Sequence, residues 1–226
     1  MKTVALIAGA AMAVMSTSAF AGVNLVANGN FATGDFTDWH SSGYNFVFTN
    51  GNDVQHTVSF WTDETSGNGW DGLGPGGTGN FAAMDEDYHT GPVSQMINGL
   101  VAGKTYTVNF DYAFAQQYGF TGDTKQSLTV SLGDQKYKIG DYTLPSTEFS
   151  GWKNASYKFT ANAASETLTF LSAGAPAEPP FALTTNVSLV QAVPEAPTWA
   201  MMLAGFGGFG FLAFRARRSA KAASAA

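Results

Sequence analysis

One segment decides the fold: Thr105-Tyr106-Thr107-Val108-Asn109-Phe110-Asp111-Tyr112-Ala113-Phe114. Its large apolar side chains fall on every second residue, from Tyr106 to Phe114, and the polar residues lie between them. Successive side chains of a β-strand point to opposite faces of the sheet, so this alternation predicts a strand with one buried face and one solvent-facing side.

The same alternation recurs along the chain. Its clearest repeats are Leu128/Val130/Leu132, Tyr157/Phe159, Leu168/Phe170 and Val187/Leu189. Further strands are predicted at 44–49, 54–61, 81–84 and 93–97, with Gly, Asn, Asp and Pro between them and no helical periodicity. About eight to ten short one-sided strands predict two packed antiparallel sheets, an all-β sandwich of jelly-roll type.

The N-terminus has the pattern of a secretory signal peptide. Lys2 precedes an apolar stretch at 4–14, and Ala19-Phe20-Ala21 supplies an A-x-A cleavage site. We therefore expect residues 1–21 to be removed on export, which leaves the β-sandwich domain at 22–192.

The C-terminal segment 193–226 has three consecutive parts. An acidic proline motif at 193–199 precedes an uncharged apolar segment at 199–214, and a basic tail follows at 215–226 with Arg215, Arg217 and Arg218. The alternative of a buried core helix conflicts with this basic cluster. Long basic side chains can reach the lipid headgroups, and positive charge marks the cytoplasmic end. The pattern predicts a transmembrane helix with a cytoplasmic C-terminus, leaving 22–192 outside.

This tail resembles the PEP-CTERM sorting signal of Gram-negative bacteria, Val-Pro-Glu-Pro-x-x-Trp-Ala-Met-Met followed by an apolar helix and arginines. Ala196 replaces the second proline, and Pro197 comes one residue later. The resemblance implies an exosortase-like membrane protease as partner, transient anchoring in the inner membrane, and transfer to the cell surface. The matching residues are Val193, Pro194, Glu195, Trp199, Ala200, Met201 and Met202.

Charge and cysteine content exclude several functions. Residues 22–192 contain six lysines, no arginine and sixteen acidic residues, a net charge of −10. Such a surface argues against nucleic acid as a partner and is compatible with cations or neutral sugars. The chain has no cysteine, so disulfides and thiol catalysis are excluded.

Short segments at 24–31, 34–36, 94–97, 100–106 and 179–183 resemble galactose-binding-like jelly rolls. Many members of that family hold a structural calcium near two carboxylates. Here Ala32 and Thr185 stand at those positions. Because calcium is usually bound by several carboxylates, the replacements disfavour that site.

No catalytic residue and no cofactor are predicted. The three histidines (His40, His56 and His89) lack metal-ligand spacing, and a Gly-x-Gly-x-x-Gly match at 67–72 lies in a long glycine-rich loop. Asp85 and Asp87 are the candidates for a cation site or an acid/base pair, against the simpler interpretation of a solvated loop.

Tryptophan suggests a binding role. Sugar rings pack their apolar faces on aromatic planes. Trp70, inside the glycine-rich loop, is predicted to line a glycan-binding rim with Asp71, whereas Trp39, Trp61 and Trp152 are predicted to be core residues.

The leading interpretation is a non-enzymatic protein of the cell envelope or extracellular matrix that associates with exopolysaccharide or acts in adhesion or biofilm. One alternative is a secreted polysaccharide hydrolase or lyase. The other is a structural matrix protein without a discrete ligand.

Overall fold

The computed structural model describes residues 22–49, 58–61, 79–176 and 179–192. These residues form ten β-strands and no helix. The strands are β1 (His40–Ser41), β2 (Asn45–Phe48), β3 (Phe81–Asp85), β4 (Val93–Asn98), β5 (Thr105–Gln116), β6 (Thr124–Leu132), β7 (Gln135–Leu144), β8 (Lys153–Thr160), β9 (Ser165–Ala175) and β10 (Pro180–Gln191).

The strands build two five-stranded antiparallel sheets. Sheet A has the order β1-β4-β9-β6-β7, and sheet B has the order β2-β3-β10-β5-β8. The predicted all-β jelly-roll sandwich is therefore confirmed. Within the described ranges, no helix has the length and apolar character needed to cross a membrane. The predicted signal peptide at 1–21 and transmembrane helix at 199–214 lie outside those ranges.

β5 contains the segment that predicted the fold, and it lies inside sheet B between β10 and β8. Its register places Phe110 opposite Ala155 of β8 and Val108 opposite Leu189 of β10. All four side chains are buried and belong to one apolar cluster. The predicted alternation thus marks the face of β5 that packs on sheet A.

The first apolar cluster lies between the sheets, because it draws side chains from both of them. Phe170 of β9 is at its centre, with its ring 5.0 Å from that of Phe110 and 6.1 Å from that of Trp39. Trp39 is 7% exposed, so its predicted core role is confirmed. Gly22–Ala192 form one compact unit, which contains this cluster and can fold around it.

A second apolar cluster covers the opposite face of sheet B. Its members on β2, β3, β5 and β10 alternate with those of the first cluster. Phe60 packs on Phe181 at 5.1 Å between ring centroids, and Trp152 packs on Phe81 at 5.4 Å. Trp152 is half-buried and packs against this second cluster from outside, so its predicted core role is confirmed only in part. Part of the predicted strand 54–61 is described, and Phe60 makes only an isolated bridge there.

The position disfavoured for calcium is occupied by a hydrogen-bonded amide. The Asn80 side-chain nitrogen donates to the Phe31 carbonyl oxygen at 2.8 Å, and Thr185 Oγ1 donates to the Asn80 carbonyl oxygen at 2.7 Å. Ala32 is exposed and supplies no carboxylate. Neither Ala32 nor Thr185 supplies a carboxylate, so these two positions lack the ligands that calcium usually takes.

Candidate functional site

Exposed and half-buried aromatic side chains gather at one end of sheet B. There β3 and β5 end while β10 begins, since Asp85 is opposite Phe181 and Gln116 is opposite Pro180. Backbone hydrogen bonds join the loops, from the Glu86 N–H to the Pro180 carbonyl. We call the following residues the aromatic end: Tyr44, Trp61, Tyr88, Tyr118 and Phe120.

Tyr44 and Tyr88 form one half of the aromatic end. The rings meet edge to face, with 6.2 Å between centroids, and are 38% and 81% exposed. Tyr44 also rests on Phe46 at 4.3 Å, and its N–H donates to the His89 carbonyl at 2.8 Å. The second cluster therefore supports an aromatic pair that faces solvent.

Trp61, Tyr118 and Phe120 form the other half. The Trp61 and Tyr118 rings lie 4.3 Å apart, and Trp61 Nε1 donates to the Phe120 carbonyl at 2.8 Å. The Tyr118 N–H donates to the Ser59 carbonyl at 2.7 Å, which attaches the turn after β5 to the segment 58–61. Phe120 is 41% exposed, and Trp61 is half-buried, so the predicted core role of Trp61 is wrong. Trp61 lies beyond the edge of the second cluster and packs on a loop.

The acidic loop after β3 connects these features to the core. Asp85 is buried, and its Oδ1 atom accepts the N–H groups of Asp87 at 2.8 Å and of Tyr88 at 3.0 Å. Asp87 and His89 are exposed. The prediction of a solvated loop is correct for Asp87 and wrong for Asp85, because Asp85 orders the turn. In the described part of the chain, no three His, Asp or Glu side chains come close enough to hold a metal ion.

Glu86 is a second buried acid in this loop. Neither carboxyl oxygen makes a hydrogen bond of good geometry with a described residue, and both are closed off from solvent. Burial raises the pKa of Glu86 well above its ordinary value of 4.5; a weak hydrogen bond from the backbone of Ser127 partly offsets this shift, and the Asp85 carboxylate adds to it. The carboxyl packs against Gly174, where an added Cβ would come within 2.9 Å of it. Glu86 is thus held inside the sandwich.

The sequence located only part of this site. It predicted Trp61 to be a core residue, and it proposed Asp85 and Asp87 for a cation site or an acid/base pair. It did not predict that Trp61 belongs to a surface cluster or that Asp85 orders the turn beside that cluster. It did not select Tyr44, Tyr88, Tyr118 or Phe120. The sequence signal that could have found them is an aromatic residue beside a turn. Trp70 and Asp71, predicted to line a glycan rim, lie outside the described residues, as do the signal cleavage residues and the tail.

Residues 192–218 match the family model of the PEP-CTERM protein-sorting motif. The match confirms the sorting signal predicted from residue 193 onward and indicates a secreted, surface-sorted protein. No curated protein matches the chain.

Several solved structures are similar to the chain. They include TmCBM61 in complex with β-1,4-galactotriose, at 19% identity and a TM-score of 0.45, covering 75% of this chain and 99% of that one. The CBM22-1 xylan-binding domain of Paenibacillus barcinonensis Xyn10C has 12% identity and a TM-score of 0.42, covering 77% of this chain and 97% of that one. The enzymatically active domain of bacteriophage CBA120 tailspike protein 4 has 13% identity and a TM-score of 0.42, covering 75% of this chain and 21% of that one.

Proposed function

We propose that this chain is a non-enzymatic protein of the bacterial cell surface or extracellular matrix whose sandwich associates with neutral polysaccharide through the aromatic end. The observation that carries the proposal is the gathering of exposed and half-buried rings at one end of sheet B. Tyr44 and Tyr88 rest on the second cluster through Phe46, and Trp61 and Tyr118 pack on each other.

Exposed aromatic rings suit a sugar ligand for a physical reason. The C–H faces of sugar rings pack against aromatic planes, while nearby hydroxyls and carboxylates bind the sugar hydroxyls. Tyr88 and Tyr118 lie on loops that follow β3 and β5, which are separated by β10. Two strand spacings amount to about 10 Å, a distance that a short oligosaccharide can span. Exposed Asp87 and His89 supply polar partners beside Tyr88.

Binding of uncharged galactan, xylan and glucan to residues 22–192, measured by affinity electrophoresis, tests the proposal. Tyr88→Ala and Tyr118→Ala should each weaken binding about fivefold, since one stacked ring contributes about 1 kcal/mol. Met96→Ala is the control, because Met96 is an exposed apolar residue on sheet A, away from the aromatic end, with 58% of its surface accessible. Equal affinity of all three variants, or no binding to any neutral glycan, would refute the proposal.

The tail supports a proposal about processing. An exosortase-type protease of a Gram-negative envelope would recognise the motif at 193–199 while the apolar segment 199–214 anchors the chain, with Arg215, Arg217 and Arg218 in the cytoplasm. Cleavage would then release the sandwich to the cell surface. Mass spectrometry of the mature C-terminus is the test, and an intact arginine tail on a stably membrane-bound protein would contradict the mechanism. Because Ala196 replaces a motif proline, Ala196→Pro should speed the removal of the tail.

A further inference from the structure

The lysines of the sandwich are concentrated along one side edge. Residues 124–160, which span β6 to β8, contain five lysines and three acidic residues, a net charge of +2. The remainder of 22–192 contains one lysine and thirteen acidic residues, a net charge of −12. We call the five positive residues the lysine edge: Lys125, Lys136, Lys138, Lys153 and Lys158.

The lysine edge lies where β7 and β8, the outer strands of the two sheets, come together. The rings of Tyr137 and Tyr157 stack at 4.7 Å between centroids, and the Tyr137 hydroxyl donates to the Lys158 carbonyl at 3.1 Å. The Lys153 ammonium lies 4.4 Å from the ring centroid of Tyr142 on β7. Tyr137 lies opposite the core residue Val130, so it is on the inner face of β7, away from Lys136 and Lys138, and packs against β8.

On the outer face of sheet A the cations are regularly placed. Lys136 and Lys138 lie opposite Ser131 and Thr129, which alternate with the core residue Val130 and therefore point to solvent. Two residues along a strand place the lysines about 7 Å apart on the same face. This face therefore carries cations in a row, with hydroxyl groups beside them.

A shallow cleft adjoins this row. Lys125 and Lys138 border it together with Ser127 and the chain at 173–175, and its volume is about 230 Å³. Asp141 pairs with Lys138 at 2.7 Å, but the two side chains are 84% and 52% exposed. Such exposed pairs contribute little and exchange readily for another anion. The cleft can therefore present two ammonium groups to a ligand.

We infer that the lysine edge binds an acidic polysaccharide, one that carries carboxylate groups on its sugar units. Lys136 and Lys138 would pair with the carboxylates, and Thr129 and Ser131 beside them would bind sugar hydroxyls. On β6, β7 and β9 the one exposed large aliphatic side chain among the described residues is Leu171, opposite Thr129, and a single such side chain is too little apolar surface for insertion into a lipid surface. Repulsion from the acidic remainder is screened beyond about 8 Å at physiological ionic strength, so the local cations dominate.

This inference goes beyond the proposed function, since it uses other residues and a charged ligand. Polygalacturonate is the probe, with uncharged galactan as its neutral counterpart, and residues 22–192 are the protein. We expect polygalacturonate binding that falls steeply as salt is raised. The triple variant Lys125→Gln/Lys136→Gln/Lys138→Gln should bind about tenfold more weakly, because each exposed ion pair contributes a factor of roughly two to five.

A matched pair of single variants separates local from overall charge. Lys125→Gln and Lys104→Gln change the net charge equally, but Lys125 borders the cleft on sheet A, whereas exposed Lys104 lies beyond the end of β8, where its carbonyl accepts the Ala161 N–H. We expect Lys125→Gln to weaken binding and Lys104→Gln to leave it unchanged. Equal effects of the two, or no loss in the triple variant with an unchanged unfolding temperature, would overturn the inference.

Two further arms test the class of ligand. Vesicles containing phosphatidylglycerol, or duplex DNA, bound as tightly as polygalacturonate at the same salt concentration would overturn the assignment to polysaccharide. Tyr88→Ala should leave polygalacturonate binding intact. The experiments therefore distinguish failure of the proposal for the aromatic end from failure of the proposal for the lysine edge.

Discussion

Asp85 holds Tyr88 in place: the buried carboxylate accepts the Tyr88 N–H at 3.0 Å, while the phenol ring stands 81% exposed. The same oxygen accepts the Asp87 N–H, so one side chain orders the first turn after β3. Ser172 Oγ donates to the Asp85 carbonyl at 2.8 Å and ties this turn to sheet A. The acid that sequence patterns suggest for a cation or for catalysis thus positions the aromatic end.

Replacement of Asp85 tests this positioning role. Asp85→Ala removes the acceptor and should weaken neutral-glycan binding about fivefold through a displaced Tyr88. Asp85→Asn keeps a carbonyl acceptor for the two N–H groups, so its binding should stay close to that of the unmodified protein. Glycan affinity of both variants, with and without a chelator, is the measurement. Equal loss in both, together with loss on chelation, would indicate a metal carboxylate instead.

Glu86 should make stability depend on pH. Its pKa is raised in the folded chain, so above about pH 4.5 the folded state holds a proton that the unfolded state has released. The free energy of unfolding should therefore fall as pH rises from about 4.5 through the folded-state pKa. Glu86→Gln lacks this titration and should raise the unfolding temperature by several degrees at pH 8, with little gain at pH 4.

Glu148→Gln is the control for this experiment, because it makes the same chemical change at an exposed carboxylate. Its unfolding temperature should match that of the unmodified protein at both pH values. A gain from Glu86→Gln that is equal at pH 4 and pH 8 would show that ionisation of Glu86 does not govern stability.

Asn80 should stabilise the sandwich without a metal. Asn80→Ala leaves the Phe31 carbonyl without its donor, and we expect a loss of about 1–2 kcal/mol. Asn98→Ala, which removes an exposed bond with Ser165, should cost less than about 0.5 kcal/mol. Denaturant unfolding measures both. A chelator should not shift the unfolding of the unmodified protein, and a clear shift would show that calcium contributes.

Truncation of two neighbouring residues on β9 should change the free energy of unfolding by very different amounts. Phe170 is fully buried between the sheets, whereas Leu171 is 43% exposed on the outer face of sheet A. Phe170→Ala should cost about 3–5 kcal/mol because it leaves a cavity, and Leu171→Ala should stay within about 0.5 kcal/mol. If denaturant unfolding showed similar losses of stability for the two variants, the assignment of Phe170 to the inner face and Leu171 to the outer face would be wrong.

Strands with a buried face were predictable, including the edge strands β2 and β8, and the exposed edge strand β7 was not. The sequences of β5, β6 and β9 predict strands because alternate residues enter the core, as Val108, Val130 and Leu168 do. β7 was missed because most of its side chains are exposed and it carries lysines at 136 and 138. Hydrophobic periodicity reports burial, and an edge strand with little burial leaves little signal.

The sequence by itself determined most of the strands, the two-sheet class, the acidic balance and the sorting motif, because these depend on the order of residues along the chain. Only the tertiary structure decided which residues meet. At the aromatic end Tyr44 contacts Tyr88, and beside the lysine edge Tyr137 stacks on Tyr157. Both contacts arise from the way the strands are arranged. Those contacts depend on sheet order and register, which local periodicity does not encode.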